Sequence, residues 1–456
     1  MISRLTGDNV LRYHPVQAAY WTSPHRFNTV PAGRRSGKTE LAKRKLVKKT
    51  MGAATSWVPR FFAAAPTRDQ AKRIFWEDLK AMFDRKMIGD ISESDLIIET
   101  KMGQQLYVIG LDKPERMEGQ PWDGGVVDEI GNTKATAWPE NIRPALSDRL
   151  GWCDLIGVPE GRNHYYDLDK RAIALMKEKG VDSEWGHYSW PSRDILPPEE
   201  IAAAMRDLDE LTFDQEYNAS FVNFEGRAYY PFLEAEHTQS LKYDPKQALI
   251  LCFDFNVEPG VCAVIQEQVL PKQYERDTGG SILLNKPITG TGVIDEVHIP
   301  RNSNTPAVCR KLVEKYGDKH KGYVRCYGDV TGGSRGSAKV EGSDWDIIEK
   351  ELRPVFKERI SFRVKDANPK ERARINAVNS RLKAKNGTIR LLVDPGKAPH
   401  VVTDFEGVRL LKGGSGEIDK MATPKLTHMS DAIGYYIEYE FPIISGGLIK
   451  MEIAGI

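Results

Sequence analysis

Residues 32–40 read AGRRSGKTE, and a later apolar stretch ends in WDGGVVDE, with Asp128 and Glu129 as its last residues. The first segment has the outline of a phosphate-binding loop. Gly33 and Gly37 let backbone N–H groups approach a phosphate, with Ser36 between them. Lys38 has the reach and charge for β- and γ-phosphates, and the Thr39 hydroxyl suits Mg²⁺. The acidic pair is its complement: Asp128 to hold Mg²⁺ through water and Glu129 to activate the attacking water. Arg34 and Arg35 are unusual inside such a loop. An arginine there can lie against the γ-phosphate in cis, and its plain alternative is a solvated loop charge. Gln17, after His-Pro-Val, carries an amide suited to adenine, although a surface glutamine reads the same way. The strict loop pattern has glycine where Ala32 stands. The acidic pair behind a strand is what turns phosphate binding into an expected ATPase.

A second set of carboxylates lies far downstream. Asp254 ends LILCFDF, Asp329 ends YVRCYGD, and Asp431 opens the helix in THMSDAIGYYIEY. Acids drawn from separate strands form an oxygen-rich site for two Mg²⁺ or Mn²⁺ ions, about 3.5–4 Å apart, that clamp a phosphodiester. Each acid alone reads equally as a cap or turn residue. Asp254 and Asp329 follow buried apolar runs, so they mark the carboxyl edge of a sheet, where α/β sites form. Glu296 is either a further ligand or an exposed strand carboxylate, and His428 is a cap or a base.

The elements that must position these groups alternate. Apolar strands around 61–65, 106–111, 125–127 and 153–158 are separated by helical patterns such as RDQAKRIFWEDLKAMF, which implies α/β with a parallel sheet. Residues 197–221 open on Pro-Pro with early acids and read as a helical connector. From residue 248 a second α/β block begins with a hairpin turning at Pro259-Gly260. The run KDANPKERARINAVNSRLKAKNG reads as a basic helix, either contacting a DNA backbone or presenting a solvated face. The 456 residues suggest two or three domains. The net charge of +1 points to no nucleic acid by itself. Five scattered cysteines without C-x-x-C spacing suggest reduced thiols. No signal-peptide pattern and no membrane span is read.

Taken together, HPVQ, GRRSGKTE, PERMEGQPWDGGVVDE, RPALSDRLGWCDLIGVPEGRNHYYDL, FDQEYNASF, CFDFN, YGDVTGGSRG, NPKERARINAVNSRLK and THMSDAIGYY resemble the tailed-bacteriophage terminase large subunit, a DNA-packaging ATPase and nuclease. The resemblance implies a P-loop (ASCE-type) ATPase domain over 1–195 and a helical connector over 196–245. An RNase H-like nuclease domain over 246–445 and a tail over 446–456 complete it. It implies that Gly157, Val158 and Pro159 couple hydrolysis to movement. It aligns Arg34 with the family's loop arginine, and Asp254, Asp329 and Asp431 with three metal ligands. It offers Arg116, and after it Arg149, as a finger lent to a neighbouring subunit. The implied work is ATP-driven movement of double-stranded DNA into a procapsid and metal-dependent cutting of concatemers. The implied partners are the portal protein, the small terminase subunit and a homo-oligomeric ring, pentameric by resemblance, in the host cell cytoplasm. Three other readings stay open on the residues alone: a repair helicase–nuclease, a nucleotide switch, and, for the second block, a junction resolvase.

Overall fold

The computed structural model describes residues 14–443, apart from 223–224, 256–257, 302, 331–342, 412–415 and 423–425. The expected tail and residues 331–336 of YGDVTGGSRG lie outside the described residues. The chain forms two compact units, Met1–Ile201 with Asp214–Asn223, and Ala202–Phe213 with Phe224–Ile456. The connector stretch carries helices Pro198–Asp207 and Glu210–Glu216, and its residues are divided between the units.

The first unit is built on eight strands: β1 (Phe27–Pro31), β2 (Arg60–Ala65), β3 (Ile88–Ser92), β4 (Ile97–Thr100), β5 (Gln105–Gly110), β6 (Gly124–Val127), β7 (Trp152–Gly157) and β8 (Trp185–His187). Their order is β3-β4-β5-β2-β6-β7-β1-β8. All neighbours from β5 to β8 are parallel, and β3 and β4 add an antiparallel edge. The central strands FNTVP, FFAAA and GGVV are buried throughout, as a parallel sheet covered on both faces requires. The paired glycines of WDGGVVDE have a steric cause. A Cβ on Gly124 would meet the Trp152 ring at 2.1 Å, and one on Gly125 the Phe62 ring at 2.5 Å. Strand β7 separates β1 from β6, so the phosphate loop and the acidic pair leave the same sheet edge one strand apart. This is the expected ASCE-type arrangement.

Helix Lys38–Met51 follows the loop, and its basic composition is deceptive. Lys43 and Lys45 are buried along with Lys38. Lys45 Nζ sits 3.0 Å from Asp154 Oδ2 of β7, with exposures of 2% and 0%. Asp154 also accepts from Tyr20 Oη at 2.8 Å and Asn28 Nδ2 at 2.6 Å. The helix after β2 is interrupted by a π-helical turn, Lys72–Trp76, between α-helical Arg68–Ala71 and Glu77–Met82.

The second unit carries β10 (Leu249–Asp254), β11 (Gly260–Arg276), β12 (Ile282–Ile299), β13 (Val324–Gly328), β14 (Ile360–Phe362) and β15 (Leu391–Val393), ordered β14-β13-β10-β11-β12-β15. A short pair, β9 (Gly226–Arg227) and β16 (Arg409–Leu410), lies apart. Strands β10, β11 and β12 run antiparallel, while β13 and β14 run parallel to β10. This is the RNase H-like order that the resemblance implies. Helix His428–Glu440 packs across β10, β11 and β13, and helix Glu371–Leu382 packs on it.

The basic run beginning at Lys370 is not the simple solvated face that was one of its two expected readings. Arg374 and Arg381 are turned inward, onto Asp431 and Glu267. Lys383 and Lys385 pair with Glu236 and Glu210. Seven of the helix's residues are buried, including Val378, Asn379 and Leu382. Composition misled because arginine buries well when its fork meets a carboxylate.

The buried pair in the first unit gives a clear expectation. Asp154→Ala leaves the Lys45 ammonium without its counter-charge in an apolar setting, at a cost of about 3–5 kcal/mol. Chemical denaturation of the full chain should show that loss in its first-unit transition.

Candidate active sites

The phosphate loop connects β1 to helix Lys38–Met51. Gly37 caps that helix at φ +81°, a conformation natural only to glycine, and no side chain caps its N–H groups. Those donors, with the helix dipole, are suited to phosphate. The loop is fixed from outside. Gly33 N–H donates to Trp190 O at 3.0 Å, and Ser192 Oγ donates to Arg34 O at 2.7 Å. Ser36 O accepts from both Trp190 Nε1 and Gln17 Nε2 at 3.0 Å. The Ser36 hydroxyl itself is buried with no hydrogen-bond partner among the described residues, an orphan that fits a phosphate ligand. Arg35 is exposed.

Thr39 Oγ1 donates to Asp128 Oδ2 at 2.8 Å, joining the two halves of the site directly. Glu129 follows in the left-handed region at φ 52° and donates its N–H to Asp128 Oδ1 at 2.9 Å. Such a backbone stores about 1–3 kcal/mol of strain and is common where a side chain must be aimed. Burial and the neighbouring Asp128 charge push the Glu129 carboxyl up to about 7, against the pull of Lys38 and Arg34. Burial likewise raises Asp128. Arg34 forms an ion pair with Glu216 at 2.5 Å, and its N–H donates to Glu216 O at 2.6 Å. Burial lowers the guanidinium, but Glu216 more than offsets it.

The Gly157–Pro159 segment is buried at the end of β7. Gly157 O accepts from Ala32 N at 3.1 Å, and a Cβ added at Gly157 would stand 3.4 Å from Glu129 Cα. Four residues past Gly157, Gly161 N–H donates to Gln215 Oε1 at 2.9 Å. Adjacent residues Gln215 and Glu216 therefore hold Gly161, just past the implied coupling segment, and the loop arginine.

The two finger candidates differ. Arg149 is tied down: it pairs with Asp123 at 2.6 Å, donates to Val58 O at 2.9 Å and stacks over Trp57. Arg116, on the 3₁₀ turn Pro114–Met117, is exposed, and no side-chain partner is seen for it among the described residues.

In the second unit Asp254 and Asp329 leave adjacent parallel strands, with Phe253 in register with Gly328. Asp431 reaches the same edge from helix His428–Glu440. Each carboxylate has its own partner. His428 Nδ1 lies 3.1 Å from Asp254 Oδ2, and Asn368 Nδ2 donates to Asp329 Oδ1 at 2.6 Å. Tyr435 Oη donates to Asp329 Oδ2 at 3.3 Å, and Arg374 Nη2 sits 3.1 Å from Asp431 Oδ1. As they stand, no three acidic, histidine or cysteine side chains among the described residues are gathered closely enough to hold an ion. The donor set still fits a hard divalent cation. Burial, opposed by Arg374 and reinforced by the Asp254 charge, raises Asp431 to about 6. Carboxylates that repel each other this way gain from a cation between them.

Glu296 is not an exposed strand carboxylate. It is buried and accepts the N–H groups of His400 at 3.1 Å and Val401 at 3.2 Å, capping helix Pro399–Gly407. His428 holds Asp254, whose hydrogen bond raises the imidazole's pKa, ahead of an opposing burial effect. Reasoning from sequence missed Glu216, Gln215, Asn368, Tyr435, Arg374 and Asp404. Asp404 Oδ2 accepts from the N–H groups of Met429 at 2.9 Å and Ser430 at 3.0 Å, capping the helix that presents Asp431. Five of the six lie inside quoted motifs, Gln215 and Glu216 in FDQEYNASF, Asn368 and Arg374 in NPKERARINAVNSRLK and Tyr435 in THMSDAIGYY, but no role was read for them there.

The fold and these edges define the class: a P-loop ATPase-type unit and an RNase H-like unit on one chain. No family model matches. Among curated proteins, the terminase large subunit of Thermus phage G20c is 26% identical over 241 residues, covering 46% of this chain and 49% of that protein. That of Escherichia phage T5 is 24% identical over 224 residues, covering 48% and 49%. The chain thus spans about half the length of these curated relatives. Among solved structures, the large terminase of a thermophilic bacteriophage superposes with a TM-score of 0.58 at 15% identity, covering 93% of this chain and 98% of that one. The ADP complex of the same terminase gives 0.59 at 15% identity over 93% and 99%. The resemblance to the phage terminase large subunit is therefore shown, and the fold is that of the large terminases.

The Asp404 cap supplies a stability test. Asp404→Ala removes a helix cap worth about 1–2 kcal/mol and frees the start of the helix that carries Asp431. Thermal unfolding should fall accordingly, with ATP turnover at permissive temperature unchanged.

Proposed function

We propose that this chain moves double-stranded DNA by hydrolysing ATP in residues 1–195 and cuts concatemeric DNA with a metal-dependent nuclease in residues 246–445, joined through 196–245. The observation that carries the reading is the direct Thr39–Asp128 hydrogen bond, with Glu129 beside it and open helix N–H groups behind it. A loop that merely bound phosphate would need no acid at that place.

In this reading bound ATP with Mg²⁺ supplies an electrophilic γ-phosphorus. The N–H groups at Lys38 and its neighbours, with the Lys38 ammonium, hold the phosphates. Thr39 and Asp128 would hold the ion. Glu129 orients the attacking water and accepts its proton. Gln17 reaches adenine. Arg34, paired with Glu216, is the loop arginine for the γ-phosphate, and Glu216 lies next to Gln215, which holds Gly161 just past the coupling segment. Arg116 is the residue offered to a neighbouring copy in a ring, since Arg149 is held by Asp123. Asp254, Asp329 and Asp431 take two Mg²⁺ or Mn²⁺ ions in the nuclease. The ring docks on the portal of a procapsid, with the small terminase subunit choosing the DNA.

The two activities should separate cleanly. Glu129→Gln is expected to keep nucleotide binding while lowering ATP turnover about 10²–10⁴-fold, and to leave Mn²⁺-dependent plasmid nicking intact. Asp254→Ala should do the reverse. Turnover that survives the first change, or cutting that survives the second, rejects the corresponding assignment. Arg116→Ala should act only in the assembled ring, lowering DNA-stimulated ATPase about 10³-fold or more while nucleotide affinity of the lone chain stays constant.

A further inference from the structure

Helix His164–Lys179 follows the Gly157–Pro159 segment in the first unit, and its outer face has no part in hydrolysis. Its inner face is fastened to the elements that carry the ATPase site. At its first turn Asn163 Nδ2 donates to Gly131 O and His164 Nε2 to Ile130 O, both at 2.9 Å, so it holds the residues just past Glu129. Tyr165 Oη donates to Leu155 O of β7 at 3.2 Å. Asp169 is only 4% exposed, accepts from Thr29 Oγ1 of β1 at 2.6 Å and lies 2.7 Å from His187 Nδ1 of β8. Strand β1 leads into the phosphate loop and β7 into the implied coupling segment, and the helix is bonded to both.

The outer face is sorted by charge. At about 100° per residue, Tyr166, Lys170, Ile173 and Lys177 fall within one arc of about 60°. Arg162, just ahead of the cap, joins that stripe by lying over Tyr166: its guanidinium carbon is 5.5 Å from the ring centre, and Lys170 Nζ is 5.3 Å from it. Arg162, Lys170 and Lys177 are exposed, and Ile173 between them is 45% exposed. The exposed acids Asp167 and Glu178 lie on the other flank, with Arg171. No ion pair is seen for Arg162, Lys170 or Lys177 among the described residues. Lys170 has Asp167 three residues before it and lies over Tyr166 all the same. These cations thus differ from Lys45, Arg374 and Arg381, each of which turns onto a carboxylate.

We propose that this stripe is where the ATPase unit contacts the backbone of duplex DNA, with Arg162, Lys170 and Lys177 on phosphates and Tyr166 holding the first two in place. This rests on the reading of the chain as an ATP-driven DNA motor. From Arg162 to Lys177 the helix rises about 22 Å, enough for the three cations to meet separate phosphates. Contacts to phosphate charge carry no sequence information, as suits a protein that moves along any sequence. The position of the stripe sets it apart from an ordinary solvated face. Its helix is bonded at the first turn to Ile130 and Gly131, so a shift of the chain after Glu129 is passed to whatever the stripe holds.

The test uses the full chain and a short fluorescent duplex, with anisotropy read over a range of NaCl concentrations and no divalent ion, so that nothing is cut. Arg162→Gln, Lys170→Gln and Lys177→Gln should each lower the slope of log Kd against log salt by about 1, and the triple variant by about 3. The loss should be the same on A·T-rich and G·C-rich duplexes. Cations elsewhere in the chain contribute equally in every variant, so the difference belongs to the stripe. With Mg²⁺ and ATP, the stimulation of turnover by duplex, taken as a ratio to the same variant's turnover without DNA, should fall in parallel. A triple variant that keeps the wild-type slope overturns the proposal. So does an Arg171→Gln variant that lowers the slope as much as Lys170→Gln, because the side of the helix then does not matter. Should the triple variant fail to fold, the single variants carry the test. If the wild-type chain hydrolyses no ATP, the motor reading fails, and the salt slopes still decide whether the stripe binds DNA.

Discussion

A carboxylate held away from water must be matched by a cation or lose its charge, and both candidate sites are organised by that constraint. In the first unit Asp128 and Glu129 are adjacent in sequence and enclosed together, and each is raised by burial. Lys38 and Arg34 are the cations that oppose this. In the second unit Asp431 is raised by burial and by Asp254, and Arg374 opposes it. Each site therefore combines acids that a metal ion would relieve with one arginine already bound to a carboxylate. The folds differ, but the electrostatic problem and its solution are the same.

This constraint explains why the supporting residues lie where they do. Arg34 is paired with Glu216, which comes from residues 214–223, the segment that returns to the first unit, and its charge also acts on Glu129. Beside it, Gln215 grips Gly161, just beyond the Gly157–Pro159 segment that lies against Glu129. One short helix end thus contacts both the loop arginine and the loop that follows strand β7.

The sequence was most legible where a local pattern and a chemical type coincided. Asp128, Asp254 and Asp329 each end an apolar run, so burial of the run forces the acid to a sheet edge, and all three are found there. The RNase H-like order was legible only through the family resemblance, because strand periodicity does not encode strand neighbours. The partners of the acids were not legible. Glu216 meets Arg34 across 182 positions and Asn368 meets Asp329 across 39, and although both lie in quoted motifs, nothing local names their partners. The edge strands β3 and β4 were also missed, since IGDIS has no buried residue and IIET is buried only at alternate positions.

Charge composition was the poorest guide, for a physical reason. The helix after the phosphate loop reads KTELAKRKLVKKTM and looks solvated, yet Lys45 reaches the core to meet Asp154. The helix ERARINAVNSRL reads as a DNA-facing stripe, yet Arg374 and Arg381 face Asp431 and Glu267. Long cationic side chains can bury their stems and deliver charge to a buried acid, so a basic stretch marks a nucleic-acid surface only if no carboxylate lies inside its reach. Here both of those arginines had one. That inward turn is what places the Arg374 guanidinium beside Asp431.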